Sequence, residues 1–158
     1  MTWRPAPTPP PISGRTVAAP RAYWEHLDRG ADVGVRGIGP TKAAAFEQAA
    51  LALTGVIADP SAIDGRATVT VTCDADDDEA LLLGWLNGLI GEMAARRMLF
   101  SRFHVEFLGD RLLGTASGER IEVERHHPAV AVKAATSTGL RVARTPGGEW
   151  LAQTVLEI

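Results

Sequence analysis

Residues 24–56 read WEHLDRGADVGVRGIGPTKAAAFEQAALALTGV, and this stretch decides the fold because its periodicity changes from that of a strand to that of a helix. A short strand is predicted over residues 22–26, and a second over Val33–Ile38, where apolar residues alternate. The sequence Gly-Pro-Thr then ends the strand and caps the helix after it. In Thr41–Val56 the apolar positions recur every three or four residues, which predicts that helix.

The remainder of the chain alternates between the same two signals. A strand is predicted over Thr68–Cys73 and a second helix over Asp78–Arg97, which is apolar round much of its circumference. A hairpin turn at residues 109–110 is followed by a long strand, Val130–Val142, and a terminal strand, Trp150–Ile158. Two helices among about seven strands predict an α+β fold, a two-layer sandwich of largely antiparallel β-sheet with two main helices on one face.

Composition indicates one globular domain preceded by a tail. With 46% apolar and 22% charged residues, the balance is that of a soluble domain that needs no metal or disulfide merely to fold. Six of the ten prolines lie in the first 20 residues, which show no strand or helix period. We therefore expect a disordered, Pro-rich tail over residues 1–21 and a single domain over residues 22–158.

Charge and hydropathy argue against a membrane and against nucleic acid as direct binding partners. No run of residues is long and apolar enough to span a membrane, and the single cysteine, Cys73, suits a reducing compartment, so we expect a cytoplasmic protein with no membrane partner. The formal net charge is −3, which lacks the basic footprint that drives independent binding to nucleic acid. Any role near RNA would have to pass through a partner.

The acidic run DADDDE, residues 74–79, has the spacing of the start of a calcium loop. Such a loop needs a glycine at its sixth position and a bidentate acid at its twelfth, and those positions hold Glu79 and Trp85. The run is better explained as carboxylates at the N-terminus of the second helix, where they cap free N–H groups. Within that helix Gly84, Gly88 and Gly91 recur at about one turn and predict close packing inside the domain.

Catalytic motifs are poorly represented, and enzyme function is not supported by the residues. The sequence has no glycine-rich phosphate loop, nucleophile elbow, CxxC or HExxH. Arg125, His126 and His127 form a locally basic spot, but neighbouring residues on an extended chain point to opposite faces and cannot readily share a ligand. Each histidine is expected to face solvent or to be hydrogen-bonded.

Four segments carry a resemblance to a known family. They are WEHLDRGADVGVRGIGPTKAAAFEQAALALTGVI, ALLLGWLNGLIGEM, ERHHPAVAVKAATSTGL and WLAQTVLEI, and in this order and spacing the chain resembles the archease family over Tyr23–Ile158. The resemblance implies a non-catalytic accessory factor that activates an RtcB-type RNA ligase, promotes its guanylylation and sustains multiple turnovers in tRNA splicing or RNA repair. The protein would then contact RNA only indirectly, through the ligase. The alternative is a stand-alone metal-binding or chaperone-like α+β domain without a ligase partner.

The resemblance also implies a divalent-cation site built from Asp32, Glu157 and the terminal carboxylate of Ile158. Calcium is the expected ion, with magnesium or manganese as alternatives. Carboxylates brought this close repel one another unless a cation neutralises them, and an oxygen-only donor set suits hard ions. The residues alone leave a second interpretation open, in which Asp32 stabilises a turn and Glu157 is a solvated strand end.

Two departures from the family pattern lie at this site. Arg29 and Gly30 stand where the family has histidine and threonine, and Glu157 replaces the usual aspartate. Arg29 could therefore supply a permanent cation in place of a metal. Lys133, in the segment VKAAT, matches the family and is a candidate for contacting the ligase, together with Arg29 and His126.

Overall fold

The computed structural model of the chain describes residues 21–158, and its elements follow the order that the sequence predicts. The elements are β1 Tyr23–Arg29, β2 Asp32–Gly39, α1 Lys42–Ile57, β3 Ala67–Asp74, α2 Asp78–Arg96, β4 Met98–Leu108, β5 Arg111–Arg120, α3 Val123–His126, β6 Ala134–Arg144 and β7 Trp150–Glu157. A 3₁₀ turn, Pro60–Ala62, lies between α1 and β3. The predicted tail over residues 1–21 lies, except for Arg21, outside the described residues.

The strands form two sheets in which every neighbouring pair is antiparallel. The four-stranded sheet, here sheet A, has the order β1-β2-β7-β6, and the three-stranded sheet, sheet B, has the order β3-β5-β4. Helix α1 packs on β2 and β7 of sheet A and reaches β4, whereas α2 packs on β6 of sheet A and on all three strands of sheet B. Each helix thus joins the two sheets, and the predicted α+β sandwich is confirmed.

The core lies where the helices meet the sheets. Its largest fully buried side chains are Trp85 of α2, Phe46 of α1 and Phe100 of β4. The indole N–H of Trp85 donates to the carbonyl of Phe46 at 3.1 Å, so the polar atom of the largest core side chain has a partner. Thr54, which is also fully buried, donates its hydroxyl to the Phe100 carbonyl at 2.7 Å. These two bonds fix α1 against both α2 and β4.

The helix signals were correct at both N-termini. Thr41 accepts a hydrogen bond from the N–H of Ala44, and Asp77 accepts one from the N–H of Ala80. Asp78 and Glu79 occupy the first turn of α2, as the interpretation of the acidic run requires. The run therefore serves to start a helix.

The glycines of α2 are used in two ways. A Cβ at Gly84 or Gly88 would press on Cys73 and Val71 of β3, so these two glycines provide the close packing that was expected. Gly91 has no atom within 4 Å of such a Cβ and lies exposed on the helix. Cys73 is half-buried, and burial raises the pKa of its thiol.

One strand prediction was wrong in its extent. The strand expected over Val130–Val142 begins only at Ala134 and runs to Arg144, and residues 128–133 are a connecting segment. The segment is held by two backbone bonds, from the N–H of Ala129 to the Ile57 carbonyl and from the N–H of Lys133 to the Glu157 carbonyl, both 2.8 Å. Alternating valines therefore mark a segment that lies against the core without forming a regular strand ladder. No helix among the described residues is long and apolar enough to cross a membrane.

Candidate functional site

The end of β7 is the place where most of the predicted site residues meet. In the antiparallel pairing of β2 with β7, Val33 lies opposite Leu156, so the next step of the same register places Asp32 opposite Glu157. Across the β1–β2 hairpin, Arg29 is paired with Asp32. Side chains that lie opposite one another in a sheet point to the same face. Arg29, Asp32 and Glu157 therefore share one face of sheet A.

Asp32 is tied to the chain terminus and does not form the hairpin turn. Its Oδ1 accepts a hydrogen bond from the backbone N–H of Ile158 at 3.4 Å. The turn is instead stabilised by Asp28, which accepts from the N–H of Gly30 at 3.2 Å, and Gly30 adopts the left-handed conformation that this turn requires (φ +69°). The interpretation of Asp32 as a turn residue was wrong, because Asp28 takes that role.

The guanidinium of Arg29 lies beside Gly139 of β6. Its guanidinium Nη2 is 3.4 Å from the position that a Cβ would occupy at Gly139, which itself has a positive φ of +63°. Gly139 belongs to an irregularity of β6 between Thr136 and Arg141, and its carbonyl accepts from the Gln153 side chain at 3.1 Å. Within residues 21–158 no ion pair joins Arg29 to an acid.

Lys133 lies at the same end of β7, in the segment that precedes β6. Its backbone N–H donates to the carbonyl of Glu157 at 2.8 Å, which continues the β6–β7 register and places Lys133 beside the chain end. Its side chain is exposed and forms no ion pair with another described residue. The structure thus brings together Arg29, Asp32, Lys133, Glu157 and Ile158, whose positions in the sequence are separated by up to 129 residues.

The donor set at this end fits a hard cation. Among the described residues no three His, Cys, Asp or Glu side chains lie close enough to hold a metal ion. The proposed ligands are instead two carboxylate side chains and the terminal carboxylate of the chain. Asp32 is half-buried and Glu157 is exposed, and within residues 21–158 no hydrogen bond occupies Oδ2 of Asp32. Oxygen donors of this kind suit calcium or magnesium.

His126, the remaining candidate, does not lie at this site and is buried. Its side chain has no exposed surface, and its Nε2 lies 3.0 Å from Oε2 of Glu119. Its Nδ1 accepts a hydrogen bond from the backbone N–H of Glu122 at 2.8 Å, so the ring hydrogen is assigned to Nε2, which donates to Glu119. Both ring nitrogens of His126 are therefore occupied, and neither is free to bind a partner.

The expectation of an extended chain at His126 and His127 was wrong. The two residues lie at the end of α3, where His127 is exposed and adopts a left-handed conformation (φ +48°). The expectation of a hydrogen-bonded or solvent-facing ring holds for His126, which is hydrogen-bonded. The two rings do not share a ligand because one is buried and the other is exposed.

Glu119 is the centre of a buried charge network that the sequence analysis missed. Its side chain is 4% exposed, and its two oxygens face Arg125 at 2.6 Å, Arg66 at 3.4 Å and the backbone N–H of Asp64 at 2.8 Å, besides His126. The hydrogen bond from Arg125, with that from the Asp64 backbone, lowers the pKa of Glu119 to about 2, although burial acts in the opposite direction. The carboxylate is therefore ionised at neutral pH.

An apolar cavity lies between α2 and the segment of residues 128–132. Its volume is about 450 Å³. Its lining consists of Ile57, Ile90, Met93, Ala94, Leu99, Ile121 and residues 128–132. One signal for it was present in the sequence, the alternating apolar residues of PAVAV, which were interpreted as part of a strand. Lys133 follows the lining segment directly in the chain but is not part of the lining.

Fold and site together define a small α+β protein, in which two antiparallel sheets are joined by two helices and the Asp32 carboxylate lies beside the chain terminus. Residues 24–158 match the model of the Archease protein family (MTH1598/TM1083). Sequence identity to "Protein archease" of Pyrococcus furiosus is 36% over 139 residues, covering 85% of this chain and 98% of the relative. For "Protein archease" of Methanosarcina mazei it is 33% over 140 residues, covering 85% and 95%. The chain belongs to the archease family.

Two solved structures are similar to this chain. The solution structure of Methanobacterium thermoautotrophicum Protein 1598 superposes with a TM-score of 0.75 at 32% identity, covering 85% of this chain and 98% of that one. The crystal structure of an archease from Thermotoga maritima, described as a possible chaperone, superposes with a TM-score of 0.51 and covers 84% and 94%. At 15% identity the second similarity shows the fold alone.

Proposed function

We propose that this chain is a non-catalytic, cytoplasmic accessory factor that activates an RtcB-type RNA ligase. It would promote guanylylation of the ligase and sustain multiple turnovers in tRNA splicing or RNA repair. The observation that carries the proposal, beside family membership, is the convergence of Asp32, Glu157, Ile158 and Lys133 at one end of sheet A. A surface that combines carboxylates with a lysine is suited to a phosphate-handling active site of a partner.

The positions of these residues suggest a role for each of them in the proposed activity. Oδ1 of Asp32 faces the backbone N–H of Ile158 at 3.4 Å, which places this carboxylate beside the chain terminus. A divalent ion, when bound by Asp32, Glu157 and the terminal carboxylate, supplies a positive charge for phosphate oxygens. Lys133 presents a second cation at the same end. Because the net charge of the chain is −3, the ligase rather than this protein binds the RNA.

A second candidate function is a chaperone-like domain without a ligase partner. The apolar cavity of about 450 Å³ beside residues 128–132 favours it, because apolar clefts accept apolar side chains. The Thermotoga maritima relative is described as a possible chaperone. Under this alternative the carboxylates at the chain end have no part in the activity.

RNA joining by the cognate ligase separates the two candidates. Addition of this protein is expected to convert one round of ligation per ligase molecule into many rounds and to raise the fraction of guanylylated ligase. The measurement is product formed per ligase under single-turnover and multiple-turnover conditions, with and without the protein. Unchanged turnover and guanylylation would reject the ligase-activating role, whereas suppression of aggregation of an unrelated unfolded protein would support the chaperone alternative.

For the cation site, Asp32→Ala and deletion of Ile158 are each expected to abolish calcium binding in titration calorimetry. Asp32→Ala removes one carboxylate, and deletion of Ile158 moves the terminal carboxylate back to Glu157, out of its proposed position; sites of this kind depend on the number and placement of charged oxygens. Asp28→Ala is the matched control, because Asp28 lies four residues from Asp32 but serves only the turn. Glu157→Asp restores the usual family residue and is expected to retain binding. Undiminished binding in Asp32→Ala would remove the proposed site.

A further inference from the structure

Strand β3 has a free edge. It is an outer strand of sheet B, whose other outer strand, β4, is covered: the N–H of Val105 donates to Glu47 of α1 at 2.9 Å, and the carbonyl of Phe100 accepts from Thr54 at 2.7 Å. Within the described part of the chain, no hydrogen bond reaches the corresponding backbone groups of β3. An uncovered strand edge is a template for pairing with another strand.

The register identifies the backbone groups that are free. The N–H of Ala75 donates to the carbonyl of Asp110, in line with the β3–β5 pairing. Hydrogen-bonded and non-hydrogen-bonded pairs alternate along an antiparallel ladder, so the odd-numbered residues of β3 bond to β5. Thr68, Thr70 and Thr72 therefore direct their N–H and carbonyl groups away from the sheet, and all three are exposed.

The sequence of this edge can pair with a second, antiparallel copy of itself. Residues 66–74 read RATVTVTCD, and an antiparallel copy centred on Thr70 places threonine opposite threonine and valine opposite valine. The ends then match by charge, because Arg66 of each copy lies opposite Asp74 of the other. Thr–Thr pairs and opposite charges are favourable cross-strand partners.

We propose that β3 pairs with β3 of a second copy of this chain, antiparallel about a two-fold axis at Thr70, which joins two copies of sheet B into one six-stranded sheet. Such an interface is isologous and closes on itself, so it gives a dimer and cannot extend into a larger assembly. It is also small, so the dimer is weak and dependent on concentration. The proposal is independent of the ligase-activating role.

The charged ends are available for this contact. The side chains of Arg66 and Asp74 are 73% and 66% exposed. Arg66 now faces Asp64 and Glu119 at 3.7 and 3.4 Å, distances too long for strong pairing, and Asp74 is bonded to Arg111 at 2.9 Å. A carboxylate accepts more than one hydrogen bond, so Asp74 can contact Arg111 and the Arg66 of a second copy together.

Helix α2 does not obstruct the second copy with long side chains. It packs on β3 through Gly84 and Gly88. The exposed residues that continue the Gly84–Gly88 strip are small: Ala80, Gly91 and Ala95. The exposed Asn87 beside the strip is bonded to the backbone of Ala135 in β6. In the proposed dimer the two α2 helices flank the two-fold axis on one face of the joined sheet, where small residues permit close approach.

Charge reversal tests the register. Wild-type protein is expected to show a concentration-dependent dimer in sedimentation velocity, and Arg66→Asp or Asp74→Arg alone to weaken it at least about tenfold by setting like charges opposite one another. An equimolar mixture of the two variants is expected to dimerise again, because both charge pairs are then complementary. A full-length wild-type protein that stays monomeric at all concentrations, or a mixture that does not recover, would overturn the proposal.

Disulfide trapping tests the two-fold axis directly. In a Cys73→Ser background, Thr70→Cys is expected to form an intermolecular disulfide on mild oxidation, because hydrogen-bonded partners have Cα atoms about 5.5 Å apart, within disulfide range. Thr72→Cys is the matched control: it lies opposite residue 68 of the second copy and is expected to cross-link at least about tenfold more slowly. Equal rates for both variants would contradict pairing centred on Thr70, and circular dichroism checks that each variant is folded.

Discussion

Gly37→Ala is expected to lower the free energy of unfolding by about 3 kcal/mol, at the upper end of the cost of overpacking a core. A Cβ at Gly37 of β2 would overlap the backbone of α1 at Ala45 and Ala49. Backbone atoms cannot rotate away as a side chain can, so the whole helix would have to move from sheet A. For a domain of this size the thermal midpoint should fall by about 10 °C.

Gly91→Ala is the matched control for that substitution. Gly91 lies exposed in α2 with no atom near the added Cβ, so alanine is expected to raise the free energy of unfolding by about 0.5–1 kcal/mol through helix propensity alone. Both variants are compared with wild type by urea denaturation. A Gly37→Ala protein within about 0.5 kcal/mol of wild type would show that α1 does not approach β2 so closely.

The parts of the fold that depend on local chemistry could be predicted from the sequence. The caps at Thr41 and Asp77 bond to N–H groups three residues away, so the residues that decide them lie in one short window. The strand alternation of β3 and the hairpin at residues 109–110 are local in the same sense. The division into two sheets was not predictable in this way, because it depends on pairings such as β2 with β7.

The same distinction between local and long-range information applies to the candidate site. Asp32 and Ile158 are 126 residues apart, and the family resemblance, not spacing, brought them together in the sequence analysis. The structure adds that Asp28 is the turn residue and that Arg29 lies beside Gly139. Glu119 was missed because nothing in its own segment indicates burial. Its environment is assembled from Arg125, His126 and the backbone at Asp64.

Glu119→Gln is expected to reduce the dependence of the free energy of unfolding on pH in the acid range. The pKa of Glu119 is about 2 in the folded chain against 4.5 for an unperturbed glutamate, chiefly because Arg125 hydrogen-bonds the carboxylate. A carboxyl whose pKa is lowered by folding binds a proton more readily in the unfolded chain. Its contribution to stability is therefore complete above about pH 4.5 and is lost as the pH falls towards 2.

The measurement is the urea midpoint of wild type and variant at constant ionic strength from pH 7 to pH 2. At pH 7 the variant should be the less stable, because Arg125 loses the charged partner that lies 2.6 Å away, and the difference should shrink steadily below pH 4.5. Glu122→Gln is the control: its carboxylate pairs with Arg125 but is 61% exposed, so solvent screens the pair and the difference from wild type should stay small at every pH. If wild type and Glu119→Gln instead lose stability in parallel between pH 4.5 and pH 2, the buried carboxylate is not the group that the Arg125 guanidinium holds ionised.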